Sequence, residues 1–270
     1  MLHNFLRSTF GHSGIPLFRL GMSATYRPGR DAVHKALDAG VNFFFCYGFD
    51  GQMVKTLREL SATQRERYVV ATGAYNLLLG HTDIRRTLEK RLRQLRTDYL
   101  DVFLFLGVTK PKHFPEKARE EMIRLREEGK VRCIGMSCHD RQFAGRLAAE
   151  GALDAFMIRY NAAHRGAEQD IFPHLAAHQP GVISYTATRW RFLLRRPKGW
   201  PGGGRVPTAG ECYRFVLSNP HVDVCLTAPS NAEQLEANLA AVHAGPLSDD
   251  DMAYLRDFGD TVHRTAGWFM

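Results

Sequence analysis

Short apolar runs alternate with amphipathic stretches along the whole chain, and eight such pairs follow one another in order. A short apolar run bounded by turn residues is typical of a buried strand, whereas apolar residues three and four apart indicate one face of a helix. Strand and helix repeat at intervals of about 25 to 35 residues, which predicts a parallel sheet, and eight units predict its closure into a (β/α)8 TIM barrel. The predicted strands are 18–21, 42–45, 68–71, 100–104, 131–134, 155–158, 182–185 and 222–226.

The segments outside the eight units predict additions to the barrel. Residues 4–16 place the turn sequence GHSG (11–14) between apolar runs, which favours a β-hairpin capping the bottom of the barrel. From residue 246 onward the pattern is that of one more helix, with Ser248 at its start. We therefore expect the chain, 1–270, to form a single α/β barrel domain with an N-terminal hairpin and a C-terminal helical extension.

Composition indicates an ordinary water-soluble domain. Hydrophobic residues make up 44% of the chain and charged residues 24%, which is close to average globular usage. No apolar run approaches the roughly 18 residues that a membrane span requires, and residues 1–11 lack the apolar centre of a secretory signal. We therefore expect a cytoplasmic protein with no membrane partner.

Neither the cysteines nor the basic residues indicate a special partner. The five cysteines are widely spaced and form no CxxC pair, so we expect reduced thiols and no metal site. The formal net charge is +8, but many of the basic residues lie in 85–96. Apolar residues recur there at helical spacing, at Ile84, Leu88, Leu92 and Leu95, and place most of the basic residues on the outward face. We therefore expect a solvated helix face there and no nucleic-acid partner.

Several stretches, taken together and in order, resemble the aldo-keto reductases. The resemblance covers residues 4–245 and is carried by 39–44, 92–104, 129–137 and 228–238. It implies the barrel fold and, as function, an NADP(H)-dependent oxidoreductase acting on a small carbonyl or imine. It also implies a small molecule as the partner, and it leaves the oligomeric state open.

The resemblance fails at the four positions that carry the family's proton chemistry. The family's aspartate and tyrosine correspond to Phe45 and Asp50, its lysine corresponds to Gly73, and its histidine corresponds to Leu106. Reduction of a carbonyl needs an acid that protonates the developing alkoxide, and loss of such an acid costs a factor of about 10² to 10⁴. The sequence therefore predicts either a non-standard proton donor or a barrel without this chemistry.

Polar residues that follow the predicted strands supply the candidates for that donor. Tyr47 and Asp50 follow the second strand, Tyr75 follows the third and His139 follows the fifth. A tyrosine could act if a nearby cation such as Lys110 lowered the pKa of its phenol, but it could equally be a wall residue with a satisfied hydroxyl. His139 could act as an acid or base, since an imidazole titrates near neutrality, or it could serve the cap of the helix that follows.

The resemblance assigns a more complete set of residues to the cofactor NADP. Ser137 stands where the family's serine bonds the nicotinamide amide, and Tyr185 stands where an aromatic ring stacks on nicotinamide. Arg159 replaces the family's glutamine, and a fixed cation beside nicotinamide would favour the reduced, neutral ring over the oxidised, charged one. The basic loop 189–205 is expected to cover the pyrophosphate. The assigned cofactor residues are Ser137, Arg159, Asn161, Tyr185, Arg189, Ser230, Asn231, Gln234 and Asn238, of which the last four grip the adenosine end.

Three functions from different classes remain open at this point. The first is a redox enzyme with a substitute proton donor, which the retained adenosine-end segment favours. The second is a lyase, isomerase or cyclase on the same barrel, and the third is a catalytically silent binding or regulatory barrel; the loss of the four family residues favours both. His174 and His178 have the spacing of two metal ligands on a helix, but no third ligand nearby completes a metal site.

Overall fold

Eight parallel strands close into a barrel, as the alternation of apolar runs predicts. The structure is a computed structural model that describes residues 5–46, 51–75 and 83–265. Its strands are β1 (Arg7–Phe10), β2 (Ile15–Phe18), β3 (Leu20–Ser23), β4 (Phe43–Phe45), β5 (Val69–Tyr75), β6 (Leu100–Val108), β7 (Val131–Cys138), β8 (Ala155–Arg159), β9 (Gly181–Tyr185) and β10 (Val224–Thr227). Strands β3 to β10 follow one another around the ring, which closes where β10 pairs with β3.

Helices follow the barrel strands, and the side chains that cap them explain where some of them begin. The Asp83 side chain accepts a hydrogen bond from the backbone N–H of Arg86 at 2.8 Å, and Thr208 forms a capping box with Glu211. Within the described ranges, no helix is long and apolar enough to cross a membrane. The helices are α1 (Arg30–Asp38), α2 (Gln52–Gln64), α3 (Ile84–Leu95), α4 (Glu116–Glu127), α5 (Arg141–Ala149), α6 (Ala167–Asp170), α7 (Ala209–Leu217), α8 (Ala232–His243) and α9 (Asp249–Thr265).

Side chains along each barrel strand alternate between the barrel interior and the layer beneath the helices. On β5, Ala71 and Tyr75 belong to the interior cluster, whereas Val70 belongs to the cluster beneath the helices. Phe45 of β4 and Leu106 of β6 belong to the same interior cluster. Because every second side chain of a strand points into the barrel, the last interior side chains of neighbouring strands meet at the carboxyl end of the barrel.

The predicted N-terminal hairpin is present and closes the opposite end. β1 and β2 pair antiparallel, and the turn between them places Gly14 at a φ of +70°, which glycine adopts without strain. Phe10 packs against Phe43 inside the barrel, with ring centroids 5.9 Å apart. The absence of a side chain at Gly181 leaves room for the Phe10 ring. The bottom of the barrel is therefore filled by an aromatic side chain from the hairpin.

The C-terminal helix also follows the sequence pattern. The backbone N–H of Asp251 donates to the Ser248 hydroxyl at 3.2 Å, so Ser248 caps α9 as predicted. Leu255 and Phe258 of α9 are buried. The predicted helical extension is confirmed, and it packs onto the barrel through an apolar face.

Two local expectations are wrong. The first barrel strand begins at Leu20, because Phe18 ends the hairpin and the Arg19 guanidinium turns aside to donate to the Val222 carbonyl at 2.7 Å. His174 and His178 do not share a helical face, because α6 ends before them and a 3-10 turn ends at His174.

Candidate active site and cofactor cleft

A cavity of about 740 Å³ opens at the carboxyl end of the barrel. Its walls include the ends of β4 to β7, the segment after β9 and the first two turns of α8. Among the described residues that line it, Arg191 is the one with a permanently charged side chain, and none is a carboxylate. The cavity therefore favours neutral or anionic ligands over cationic ones.

The positions that the sequence resemblance assigns to the family's tetrad form an apolar floor where the structure describes them. Phe45 and Leu106 line the cavity, whereas Asp50 lies outside the described residues. A Cβ added to Gly73 would contact the Leu104 carbonyl oxygen and would lie 2.9 Å from Leu106 Cγ. A lysine at position 73 would thus require β5 and β6 to move apart. Phe45, Gly73 and Leu106 provide no acid or base.

Tyr75 brings a phenol to this apolar floor. It lies two residues beyond Gly73 on the same interior face of β5, and it pairs in register with Leu106 on β6. Its side chain lines the cavity although only 7% of the residue is exposed. Of the three tyrosine and aspartate candidates, Tyr75 is the one the structure describes, since Tyr47 and Asp50 lie outside the described residues.

His139 and Tyr185 meet at the mouth of the cavity. The His139 Nε2 atom lies 3.4 Å from the Tyr185 hydroxyl, and the two rings pack edge to face. Burial, together with the positive charge of Arg159, lowers the pKa of His139 below its usual range, so the imidazole is neutral at pH 7. Burial raises the pKa of Tyr185 to about 12. The cap of α5 is formed by Asp140, whose side chain accepts from the Phe143 N–H at 3.0 Å, so it is not His139 that caps the helix.

The predicted nicotinamide residues divide into two groups. Ser137 and Tyr185 line the cavity, and Arg159 is the register neighbour of Tyr185 on the next strand. Asn161 is fully buried, and its amide donates to the Thr186 carbonyl at 2.9 Å while its oxygen accepts from the Ala163 N–H. Asn161 therefore holds the turns that follow β8 and β9. Its predicted contact with the cofactor stays a prediction.

The adenosine-end residues surround the start of α8. The Asn231 side chain accepts from the Gln234 N–H at 2.9 Å, and the Gln234 side chain accepts from the Ser230 N–H at 2.9 Å. Asn238 donates to Thr227 at 3.0 Å. Ser230, Gln234 and Asn238 line the cavity, which meets the N-terminus of a twelve-residue helix. The partial positive charge of a helix N-terminus attracts phosphate groups.

The loop after β9 contributes fewer free cations than its composition suggests. Arg189 is buried and donates to the Val262 carbonyl of α9 at 2.6 Å. Arg205 pairs with Glu211 and Asp251 outside the cavity lining. Arg191 is exposed and lines the cavity. The electrostatic attraction that the sequence assigns to the whole loop is therefore concentrated at Arg191.

Sequence reasoning missed the aromatic residues at the rim. Tyr26 and Trp190 line the cavity while remaining 49% and 48% exposed. Trp190 stands between Arg189 and Arg191, and all three adopt positive φ angles of 47° to 71°. Non-glycine residues rarely adopt this conformation, and such strain concentrates at functional segments. The sequence signal was a tryptophan amid basic residues in a segment without periodicity.

Comparison with known proteins identifies the family. The family model described as the aldo/keto reductase family matches residues 22–197, which is more than half of the chain. The chain therefore belongs to the aldo/keto reductase family.

Individual relatives are distant. The NADH-specific methylglyoxal reductase of Escherichia coli is 22% identical over 87% of this chain and 88% of its own length. The uncharacterized oxidoreductase YqkF of Bacillus subtilis is also 22% identical, and the alignment spans 64% of each chain. These identities support membership of the family but do not transfer a substrate.

Solved structures agree in fold. The aldo-keto reductase AKR11C1 from Bacillus halodurans in its holo form superposes with a TM-score of 0.76 at 19% identity, covering 93% of this chain and 95% of its own. An aldo/keto reductase from Klebsiella pneumoniae in complex with NADP and acetate superposes with a TM-score of 0.76 at 23% identity, covering 94% and 95%. The barrel with its N-terminal hairpin is therefore the aldo-keto reductase fold.

Proposed function

We propose that this protein is an NADP(H)-dependent oxidoreductase that reduces a small carbonyl or imine and uses Tyr75 as its proton donor. The observation that carries this proposal is the position of Tyr75. Its phenol lines the same cavity wall as Phe45 and Leu106, two of the positions where relatives carry the proton-transfer residues. A donor on the neighbouring interior position of the same strand can serve a substrate bound over the same floor.

The cavity fits the cofactor. Ser137 offers a hydroxyl for an amide group, and the Tyr185 ring offers a flat face beside it. Arg191 and the N-terminus of α8 provide positive charge for phosphates. A cavity of about 740 Å³ without a described carboxylate in its lining admits a large anionic ligand. The NADP complex of the Klebsiella pneumoniae relative supports the same assignment.

The proposed reaction needs one proton from the protein. When bound, NADPH supplies a hydride to the carbonyl or imine carbon. The Tyr75 phenol gives its proton to the carbonyl oxygen or imine nitrogen, so that an alcohol or amine forms, and Tyr75 recovers a proton from water. The apolar side chains of Phe45 and Leu106 exclude water from the reacting carbon. An imine that is already protonated needs less help from Tyr75 than a simple ketone does.

Two measurements test the proposal. Fluorescence titration with NADPH tests the cofactor, and NADPH oxidation with a panel of small aldehydes, 2-oxoaldehydes and cyclic imines tests the reaction. We expect Tyr75→Phe to bind NADPH as the parent does and to lower kcat by about 10²-fold or more on any carbonyl substrate found. Tyr26→Phe, which removes the hydroxyl of another tyrosine in the cavity lining, is the matched control.

Other outcomes point to the other classes. Absence of NADPH binding at millimolar concentration contradicts the redox proposal and favours non-redox chemistry on the barrel. Binding of NADPH without turnover, together with tight binding of a metabolite from an untargeted screen, favours a silent binding barrel, which the apolar packing of Phe45 and Leu106 would suit. Undiminished turnover in Tyr75→Phe removes Tyr75 from the proton-donor role and leaves His139 as the described alternative.

A further inference from the structure

Arg159 carries its charge at the last interior position of its strand. Ala155 and Met157 of β8 belong to the interior cluster, so the alternation of the strand places Arg159 on the same interior face, nearest the mouth. In the parallel register, Arg159 pairs with Tyr185 of β9. The Tyr185 hydroxyl in turn reaches His139. Arg159 therefore stands beside the part of the cavity that holds Ser137 and Tyr185.

The positive charge of Arg159 acts on the ionisable groups around it. Burial is the main cause that lowers the pKa of His139 and of His164, and the positive charge of Arg159 lowers both further. The other charges that act on His164 are those of Arg189, His263 and Arg141, all of which are positive. Arg159 is half-buried beside the apolar interior, where a charge is screened less than at the surface. Arg159 therefore acts electrostatically on side chains of this part of the cavity, His139 among them.

We propose that Arg159 makes the cleft bind the reduced cofactor more tightly than the oxidised cofactor and so sets the protein to work as a reductase. This inference rests on the proposed function, because it requires nicotinamide to lie by Ser137 and Tyr185. The oxidised ring carries a positive charge and the reduced ring is neutral, whereas the phosphates are identical in the two forms. A neutral side chain at position 159 would not distinguish the two rings, but a guanidinium repels the oxidised ring alone.

The balance of charge during the reaction follows from this arrangement. Hydride transfer leaves the ring with a positive charge next to Arg159, while the substrate carbon gains the hydride and its oxygen gains the Tyr75 proton. Repulsion from Arg159 weakens the hold on the oxidised form, so that product cofactor leaves readily. The reverse reaction would have to begin with the weakly held oxidised form. Arg159 therefore changes the relative affinity for the two cofactor forms, and this difference is the same whichever substrate is bound.

Binding measurements test this inference without any turnover. Dissociation constants for NADPH and NADP+ are measured by calorimetry for the parent, Arg159→Met, Arg159→Lys and Arg191→Gln. We expect the ratio of the NADP+ constant to the NADPH constant to be about tenfold larger in the parent than in Arg159→Met, as one unit charge several ångströms away in a partly screened site would give. Arg159→Lys, which keeps the charge, should retain most of the ratio.

Arg191→Gln is the matched control. Arg191 is cationic and lines the cavity, but it lies in the loop after β9, which the family resemblance assigns to the pyrophosphate, a part of the ligand that does not change on oxidation. Its loss should weaken both forms by the same factor and leave the ratio unchanged. Equal ratios in the parent, Arg159→Met and Arg159→Lys would overturn the inference while leaving the cofactor assignment intact. Failure of the folded parent to bind either form would instead overturn the proposed function.

Discussion

Leu106 occupies the space beside Gly73. The distance from Leu106 Cγ to a Cβ built on Gly73 is 2.9 Å, and the Leu104 carbonyl oxygen lies closer still. The two residues lie on paired strands, at positions that the sequence resemblance assigns to the family's histidine and lysine. The absence of a side chain at one position is thus matched to a bulky apolar side chain at its neighbour. The packing of Gly73 and Leu106 is therefore coupled, because a side chain at position 73 would displace the one at position 106.

Gly73→Ala should therefore destabilise the fold. We expect the free energy of unfolding to fall by about 1 to 3 kcal/mol, because β5 and β6 must separate to admit a methyl group. Gly202→Ala is the matched control, since a Cβ there meets nothing within 4 Å. Denaturant unfolding of both variants gives the comparison, and an unchanged midpoint for Gly73→Ala would show that the strands accommodate a side chain. In that case, restoring the family's lysine would become feasible.

Phe10→Ala should show how much the hairpin contributes to stability. The ring is buried between Phe43 and the backbone at Gly181. Its removal leaves a cavity at the bottom of the barrel and should cost about 3 to 5 kcal/mol. Phe192→Ala, at a site that is 42% exposed, should cost far less. Similar melting temperatures for the two variants would mean that the hairpin is dispensable.

Stability should fall on acidification in a way that depends on His164. Burial and the charges of Arg159 and Arg189 lower the pKa of this imidazole to about 3, whereas in the unfolded chain it takes up a proton near pH 6.5. Because the unfolded state binds this proton first, the free energy of unfolding drops as the pH falls from about 6.5 towards 3.

His164→Gln removes this contribution. Between pH 7 and pH 4 the parent should lose about 1 to 2 kcal/mol more stability than the variant, a range that is already reduced for partial exposure of the ring. Urea unfolding at the two pH values provides the measurement, with His178→Gln at an exposed position as the control. Equal losses in parent and His164→Gln would contradict the lowered pKa.

Asn161→Ala should act on stability and not on cofactor affinity. Its side-chain hydrogen bonds, to Thr186, Ala163 and His164, all lie within the protein. Loss of these bonds should cost about 1 to 3 kcal/mol because the Ala163 N–H is left without its acceptor. Thermal unfolding and NADPH titration on the same sample separate the two effects. A weaker NADPH affinity at unchanged stability would show that the cofactor role drawn from the family resemblance is correct.

Trp190 should report on occupancy of the cleft. Its ring lines the cavity rim, whereas Trp200 packs against Phe258 with centroids 4.8 Å apart. Energy transfer from tryptophan to bound NADPH should fall strongly in Trp190→Phe and little in Trp200→Phe, since the distance to the ligand governs transfer. Calorimetry measures the NADPH affinity of both variants independently. Equal transfer in the two variants would place the bound ligand away from this rim.

The sequence predicts the barrel well because burial acts on whole elements. A barrel strand is buried on both faces and therefore appears in the sequence as a continuous apolar run, which can be located without knowing which strands pair with it. The boundary at Phe18 and Leu20 was misplaced because Phe18 continues the apolar run while belonging to the hairpin. Arg91 is the buried exception on a helix whose other basic residues the pattern places outward, because a long side chain can lie along an apolar surface.

The site was less predictable because it depends on where single side chains point. Tyr75 and Ser137 follow from strand alternation, and both line the cavity. Arg189 turns away towards α9 because the backbone of its loop adopts left-handed angles that no periodic pattern encodes. Tyr26 was missed for the same reason, since it lies on a loop without a repeating pattern.

The floor formed by Phe45, Leu106 and Met157 also determines the dielectric surroundings of the cleft. Aromatic and aliphatic groups have a low polarity, so they screen the charge of a nearby guanidinium less than water would. A floor with ionisable groups would carry charges of its own, and these would partly offset the potential from a guanidinium at the mouth of the cavity. Phe45, Leu106 and Met157 bring no ionic charge of their own, so a fixed charge near the mouth, such as that of Arg159, would be less opposed there than over a floor of ionisable groups.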